Sequence, residues 1–361
     1  MTTADRFMAQ ALRLAALGNG RTASPVGALV VRDGRVVGRG YHPATGQPHA
    51  EIHALRQAGE LARGADLYVT LEPCCHQGRT PPCTQAVIAA APARVFVGCL
   101  DPNPLVAGRG ADTLRKAGLQ VVTGVLEARC RRSLEVHRKL IATGLPFVTL
   151  KLAQSLDGRV AAAHGESRWI SSEPARRLVA RWRSGSHAVM VGIGTVLADD
   201  PRLTARLPGA HQPVRVVVDA AGRFPARARM LSEPGGPVLV ATTAPGAERL
   251  AALAGKVELL VLPPATEGVD LLALLKELGR RELASVLVEG GPTLAGSLVR
   301  QGLVDKFAFF LAPLLIGGRG ALGAVGGPDL PGLDQALRLR EMTVRRVGAD
   351  LLVTAYPDRG Q

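Results

Sequence analysis

A chain of 361 residues is too long for one ordinary hydrophobic core, so two domains are expected, and its 47% hydrophobic residues suffice to fill both. No apolar run approaches the ~20 residues that span a bilayer, and the N-terminus lacks a charged stretch leading into an apolar one, so a cytoplasmic protein is expected. The net charge of +14 comes from scattered arginines, with six lysines among 44 basic residues, and aromatics at 3% are few for stacking on single strands; the charge is compatible with small phosphorylated partners and diagnostic of none.

In chain order, Phe7, Met8, Ala11, Leu12 and Ala15 recur at helical spacing and predict an amphipathic helix over 5–17. VGALVV (26–31) and RVVGRGY (35–41) flank Asp33-Gly34, the signature of a β-hairpin. A helix is predicted from His49, behind Pro48, to about Gly59. LYVTL (67–71) reads as a strand ending at Pro73-Cys74, and Pro81-Pro82-Cys83 opens a further helix. Strand 94–100, the turn-rich DPNPLVAGRG (101–110), helix 110–117, strand 119–124 and a basic helical stretch over 126–143 follow. Gly144-Leu145-Pro146 breaks the pattern, which sets the domain boundary between 145 and 146.

Alternation resumes at Phe147. VTLKLAQSLDGR (148–159) reads as a strand running into a turn, and further strands are predicted at 187–192, 214–219, 238–243, 258–262, 285–289 and from Lys306, with helices near 174–183, 270–279 and 293–301 and two antiparallel strands between Leu337 and Tyr356. Strands alternating with helices predict a second α/β domain with a largely parallel sheet.

Chemistry concentrates between His49 and Cys83. HAEIH (49–53) followed by PCCHQGRTPPC (73–83) can bring His49, Cys74 and Cys83 around one ion, and imidazole with two thiolates suits tetrahedral zinc with a fourth position left for water. His49 and Glu51, two residues apart, serve one site only at the first turn of their helix, where Glu51 is free to move protons to and from water. Cys83 at a helix start is expected to favour the thiolate. Cys75 competes with Cys74 as a ligand, but adjacent side chains diverge, so Cys74 is preferred; Cys99 and Cys130 read as ordinary small apolar residues. An odd total of five cysteines argues against a disulfide framework.

HAEIHAL (49–55), LEPCCHQGRTPPC (71–83) and DPNPLVAGRG (101–110) resemble the zinc-deaminase half of the bifunctional deaminase/reductase family of riboflavin biosynthesis. KLAQSLDGR (151–159), GESRWISS (165–172), GTVLADDPRLTAR (194–206) and VEGGPTL (288–294) resemble its reductase half, in the same order. The resemblance implies an N-terminal cytidine-deaminase-like three-layer domain over 1–145 and a dihydrofolate-reductase-like domain over 146–361. It implies zinc-dependent deamination of 2,5-diamino-6-ribosylamino-4(3H)-pyrimidinone 5′-phosphate, followed by NADPH-dependent reduction of the ribosyl to a ribityl chain. His42, His76 and Arg79 would line the deaminase pocket, with Arg79 on phosphate, and Asp101 and Asn103 would contact the ribose and phosphate region.

In the reductase half the resemblance maps substrate contacts onto Ser167, Arg183, Leu203, Arg206 and Glu289, and charged groups at the reacting carbon onto Lys151, Asp199 and Glu289; which of these three handles the proton stays open. Cofactor contacts map onto Ala153, Trp169, Ser171, Thr195 and Asp199 and onto Gly291, Pro292, Thr293, Leu294, Ala295, Gly296 and Ser297, where backbone N–H groups at a helix start can hold a pyrophosphate. No GxGxxG follows a first strand, so a Rossmann domain is not indicated. Association of copies through the reductase domain is also implied.

One departure stands out. Where the family has TxPNPxVG, with its asparagine reading the pyrimidine, this chain has the shorter Thr22-Ala23-Ser24-Pro25-Val26-Gly27. A missing hydrogen-bond partner lowers discrimination, so a weakened deaminase beside an intact reductase is one alternative. A nucleic-acid deaminase is another, although it predicts a PCxxC pair and leaves the second half without a role; zinc retained for stability alone is a third.

Overall fold

The computed structural model describes residues 2–360. The chain divides into two compact units that part between Leu145 and Pro146.

The first unit runs α1 (Thr3–Ala15), β1 (Gly27–Arg32), β2 (Arg35–Tyr41), α2 (Ala50–Ala58), β3 (Asp66–Leu71), α3 (Cys83–Ala90), β4 (Arg94–Cys99), α4 (Arg109–Lys116), β5 (Gln120–Thr123), α5 (Glu127–Ser133) and α6 (Glu135–Thr143). Thr2 and Asp5 form a capping box that starts α1, whose Phe7, Met8, Ala11 and Ala15 are buried. Asp33 (φ 51°) and Gly34 (φ 73°) make the β1–β2 turn, the left-handed pair that a tight hairpin needs. The sheet order is β2-β1-β3-β4-β5, with β1 antiparallel to both neighbours and β3, β4 and β5 parallel.

Glycines decide how the helices lie on this sheet. A Cβ at Gly27 would fall 2.0 Å from the Ala11 carbonyl oxygen of α1, and one at Gly40 would fall 2.0 Å from that of Ala50 in α2. Gly40 pairs with Ala28, so it faces the side opposite Gly27, and α1 and α2 cover opposite faces. Gly98 lets Cys130 of α5 approach β4 in the same way. Three layers result. The helical stretch predicted over 126–143 is interrupted at Leu134 (φ −110°), where α5 hands over to α6.

The second unit contains β6 (Phe147–Ser155), β7 (Arg159–Ala161), α7 (Glu173–Ser184), β8 (Ala188–Gly192), α8 (Ile193–Asp199), β9 (Val214–Val218), α9 (Arg229–Ser232), β10 (Val238–Thr242), α10 (Ala244–Arg249), β11 (Glu258–Val261), β12 (Pro264–Ala265), β13 (Gly268–Val269), α11 (Leu271–Arg280), β14 (Ser285–Val288), α12 (Pro292–Arg300), β15 (Lys306–Ala312), β16 (Leu322–Gly323), β17 (Leu339–Val347) and β18 (Asp350–Pro357). Nine strands form one sheet in the order β11-β10-β9-β8-β14-β6-β15-β18-β17. The seven from β11 to β15 are parallel, and β18 and β17 close the edge antiparallel. Buried Val189, Val191, Val217, Val240 and Leu287 give the central strands the continuous apolar character of a sheet covered on both faces. The carboxyl ends of β8, β14 and β9 are therefore adjacent, and the loops that follow them gather on one rim.

Candidate active sites

In the first unit, β3 delivers Cys74 just past its end, α3 begins with Cys83, and His49 is the N-cap of α2. His49 Nδ1 lies 3.2 Å from Cys83 Sγ and 3.6 Å from Cys74 Sγ, and the three donor atoms lie within 4.8 Å of one another. A tetrahedral zinc ion with Zn–N of about 2.0 Å and Zn–S of about 2.3 Å sets N···S edges of roughly 3.5 Å, so this donor set fits zinc. Cys75 is not in the cluster; its thiol points toward the Leu105 carbonyl.

The two thiols are hydrogen-bonded to each other and share one proton. The first backbone N–H of α3, that of Cys83, donates to Cys74 Sγ at 3.3 Å rather than serving its own thiol. A hydrogen bond from the Cys83 side chain, the His49 ring and that N–H hold Cys74 down at about 4 despite its burial, whereas Cys83, donating to Cys74 and itself buried, is pushed up.

Glu51 sits in the first turn of α2, 3% exposed, and burial raises its carboxyl above the usual range. A cavity of about 30 Å³ is lined by Glu51, His49, Cys74, His42, Ser24 and Glu72 among others. The Nδ1 of His42 is held by Thr22 Oγ1 at 3.1 Å and the Ser24 carbonyl at 3.2 Å, while its Nε2 is buried without a partner, and burial lowers its pKa. The shortened 22–27 segment thus grips His42 and puts Ser24 on the cavity wall.

His76, Arg79, Asp101 and Asn103 do not line that cavity. Asp101 Oδ1 accepts from the Asn103 N–H at 2.9 Å and lies 3.1 Å from His137 Nε2, and Asn103 Oδ1 accepts from the Leu105 N–H at 3.0 Å. Their side chains shape the loop. Glu72, which the sequence reading passed over, ties that loop down: its buried carboxylate accepts from the N–H groups of Asp101 (3.1 Å), Gly108 (2.9 Å) and Ala111 (2.9 Å). No local pattern points to it, since its partners are backbone groups 29 to 39 residues along the chain.

In the second unit a cavity of about 1000 Å³ opens along the rim of the sheet. Lys151 on β6 and Glu289 after β14 approach to 3.9 Å, and Arg183 of α7 grips the same carboxylate with bonds of 2.6 and 2.9 Å. Burial pushes the Lys151 ammonium down, opposed by Glu289 and reinforced by Arg183. Burial pushes the Glu289 carboxyl up, but Arg183, Lys151 and Arg206 together hold it below its ordinary value. Asp199 accepts from Ser167 Oγ at 3.0 Å and pairs with Arg168. Leu203 (φ 56°) and Arg206 (φ 51°) adopt left-handed backbone, a cost that non-glycine residues bear where the surroundings hold them.

The cavity wall includes Lys151, Ala153, Ser167, Trp169, Ser171, Arg183, Thr195, Asp199, Leu203, Arg206 and Glu289, and from the α12 start Gly291, Pro292, Thr293, Leu294 and Ser297. Ala295 and Gly296 are corrections. Ala295 is fully buried, and a Cβ at Gly296 would strike the Gly326 carbonyl at 1.7 Å, so this turn of α12 faces the protein and not the cavity. Ser297 Oγ is already bound to Glu267 at 2.6 Å. At Gly291 the N-terminus of α12 carries no side-chain cap, leaving its N–H groups to the cavity, and the open wall over Thr195 and Trp169 fits a dinucleotide.

Comparison with known proteins matches these two arrangements to two descriptions. Residues 1–99 match the cytidine and deoxycytidylate deaminase zinc-binding region, and residues 146–353 match the RibD C-terminal domain. A deaminase-type zinc region joined to that domain defines a two-part enzyme of the pyrimidine deaminase/reductase class. The riboflavin biosynthesis protein RibD of Escherichia coli is 43% identical over 96% of this chain and 97% of that protein, and that of Aquifex aeolicus is 42% identical over 96% of each. The solved RibD of Acinetobacter baumannii (form 1) superposes with a TM-score of 0.85 at 40% identity, covering 99% of both chains. A deaminase/reductase of Thermotoga maritima does so with 0.86 at 34%, again over 99% of both. The chain belongs to the RibD family.

Proposed function

We propose that this chain catalyses two consecutive steps of riboflavin biosynthesis, deaminating 2,5-diamino-6-ribosylamino-4(3H)-pyrimidinone 5′-phosphate in the first unit and reducing the ribosyl chain of the product in the second. The observation that carries the reading is the buried carboxyl of Glu51 in one cavity with His49 and Cys74, beside Cys83.

Zinc held by His49, Cys74 and Cys83 supplies Lewis-acid activation of the attacking water when bound. Glu51 takes the proton from that water and returns it to the departing ammonia, for which a carboxyl raised by burial suits both directions. His42 offers its unpartnered Nε2 to the pyrimidine, with Ser24 standing where relatives of this type carry asparagine. Arg79, from the loop between the two cysteines, is assigned to the phosphate.

NADPH supplies the hydride for the second step. Arg183 and Arg206 hold the substrate phosphate end, with Ser167 and Leu203 shaping the same wall. Lys151, buried and less basic than a free lysine, faces Glu289 and is the group assigned to deliver the proton, while Asp199 orients Ser167. The α12 start at Gly291 takes the pyrophosphate.

The reading places the protein in the cytoplasm, where the five free cysteines stay reduced; among the described residues no helix is long and apolar enough to cross a membrane. It takes a small phosphorylated pyrimidine rather than nucleic acid. A homo-oligomer joined through the second unit is part of the same reading, and the exposed Leu339, Met342 and Val344 of edge strand β17 suit it.

A coupled assay tests the whole. Purified zinc-loaded protein releases ammonia from the diaminopyrimidinone and then oxidises NADPH. Glu51→Ala keeps its zinc, loses ammonia release by ~100-fold or more, and still oxidises NADPH on substrate already deaminated. Ammonia release unchanged in that variant overturns the assignment; a slow wild-type release beside normal NADPH oxidation identifies the Ser24 segment as a weakened deaminase.

A further inference from the structure

The side of the large cavity that runs from Ser167 to Arg183 is held at three places. At one end Ser167 Oγ donates to Asp199 at 3.0 Å, and at the other Arg183 binds Glu289 and donates to the Thr204 carbonyl at 3.1 Å. Asp199 and Glu289 are themselves residues of the cavity wall. The stretch between, from Trp169 to Ser172, is tied instead to a residue outside the cavity, Asp350.

Asp350 begins β18, just past the two-residue turn Gly348-Ala349 that joins it to β17. It is 1% exposed, and its Oδ2 accepts from both the N–H and the hydroxyl of Ser172, each at 2.8 Å. Ser172 is the N-cap of α7, where a serine ordinarily turns its oxygen onto its own helix. Here it makes no such bond, its hydroxyl being committed to Asp350. A carboxylate brought from 178 residues along the chain thus stands at the positive end of the α7 dipole. It has no ion-pair partner among the described residues. The turn is seated on the same helix start, because a Cβ on Gly348 (φ 64°) would fall 2.8 Å from Pro174 Cγ and 3.1 Å from Ser172 Oγ. Behind the turn, Leu352 of β18 packs with Ala175 and Val179 of α7 and with Phe310.

From the start of α7 the order passes to the cavity wall. Arg176, in the first turn, donates to the Ser171 carbonyl and holds its guanidinium 4.5 Å from the centre of the Trp169 ring. Trp169 and Ser171, assigned above to the cofactor, therefore take their places from the first turn of α7, and that turn takes its place from Asp350. Arg183 lies about two turns further on and keeps its own partners, Glu289 and Thr204, whatever happens at the helix start.

We propose that Asp350 is a positioning residue for the reductase step, fixing the first turn of α7 through Ser172 and so holding Trp169 and Ser171 against the cofactor while touching neither ligand itself. The inference rests on the cofactor assignment above and adds the residue, outside the cavity, on which that part of the wall depends. It also separates the two ligands, since the groups assigned to the pyrimidine substrate, Ser167 and Arg183, have anchors of their own.

The test uses full-length zinc-loaded protein, with NADPH binding followed by nucleotide fluorescence and NADPH oxidation measured on substrate already deaminated. Asp350→Ala raises the Kd and the KM for NADPH about tenfold and leaves kcat at saturating NADPH and the KM for the pyrimidine within about twofold. Ser172→Ala, which keeps the N–H and loses the hydroxyl, raises the same two constants about threefold. Asp350→Asn returns NADPH affinity to within about threefold of wild type, since one amide oxygen can accept both hydrogen bonds. NADPH affinity within about twofold of wild type in both alanine variants overturns the proposal, as does an Asp350→Asn protein that binds no better than Asp350→Ala. A KM for the pyrimidine that rises in parallel, or a kcat that falls with it, also overturns it, because that pattern belongs to a unit loosened throughout. If a thermal melt shows Asp350→Ala unfolded at the assay temperature, Ser172→Ala decides by the same criteria. A wild-type protein that binds no NADPH overturns the cofactor assignment itself, whereas wild-type binding that neither alanine variant moves overturns only the role of Asp350.

Discussion

Replacing Glu72 by alanine removes one carboxylate and strands three backbone donors. The N–H of Ala111 lies in a residue that is 1% exposed and regains no water, while those of Asp101 and Gly108 are half-buried and rehydrate in part. A hydrogen bond to a charged group contributes about 1.5–3 kcal/mol and a stranded buried donor costs about 1–3 kcal/mol. Counting one full loss and two partial ones, Glu72→Ala costs about 4 kcal/mol in the first unit. Glu72→Gln keeps the shape but turns one acceptor into a donor facing an N–H, and costs about 2 kcal/mol. Urea unfolding followed by far-UV dichroism, with zinc content measured alongside, reads both. The metal stays bound at low denaturant because no ligand is touched, and the KM for the ribosylated substrate rises more than kcat falls, since the loop carrying Asp101 and Asn103 loses its tether. An unfolding free energy within about 1 kcal/mol of wild type in Glu72→Ala would refute the view that this carboxylate organises the loop.

Two further outcomes follow from buried charge. Glu289→Ala leaves Lys151 and Arg183 facing each other in a site that shields neither, which destabilises the second unit by about 3–5 kcal/mol and abolishes NADPH oxidation; a thermal melt unchanged by this substitution would contradict the pairing. His187, buried against Ser285 at 2.9 Å, is lowered to about 4 by burial and by His211. Its folded-state pKa lies below the unfolded value near 6.5, so the unfolded chain binds the proton first, and stability present above pH 6.5 is lost as pH falls toward about 4, by roughly 3 kcal/mol. His187→Gln flattens that part of the stability profile, and a profile identical to wild type would assign the acid sensitivity elsewhere.

Local signals carried most of the architecture. The Asp33-Gly34 pair, the period-two runs and the Pro-led helix starts marked elements whose stability is decided by neighbours in sequence, and the structure places them within a few residues. The HAE and PCC–PPC segments brought a metal set into view because ligand spacing is itself local. What stayed hidden depends on distant partners. Glu72 finds its three acceptor bonds 29 to 39 residues away, and nothing about a glutamate before a proline announces that. Which sulfur the α3 N–H reaches, Cys74 Sγ at 3.3 Å, is a matter of angstroms rather than of residue order. Ala295 and Gly296 lie in a motif segment that enters the cavity at one end and turns its back on it by the next helical turn.

The contact of Gly40 with the Ala50 carbonyl has a further consequence. Because α2 rests on bare backbone there, the placement of His49 and Glu51 is set by main chain touching main chain and not by any rotamer that substitution could retune. Side-chain changes in α2 or β2 therefore offer little freedom to move the acid–base group, while the short 22–27 segment, whose Thr22 and Ser24 touch His42 from a loop, is the part of the first unit open to variation. Selection or design aimed at a different pyrimidine has its adjustable parts in that loop, with the proton chemistry held constant beneath it.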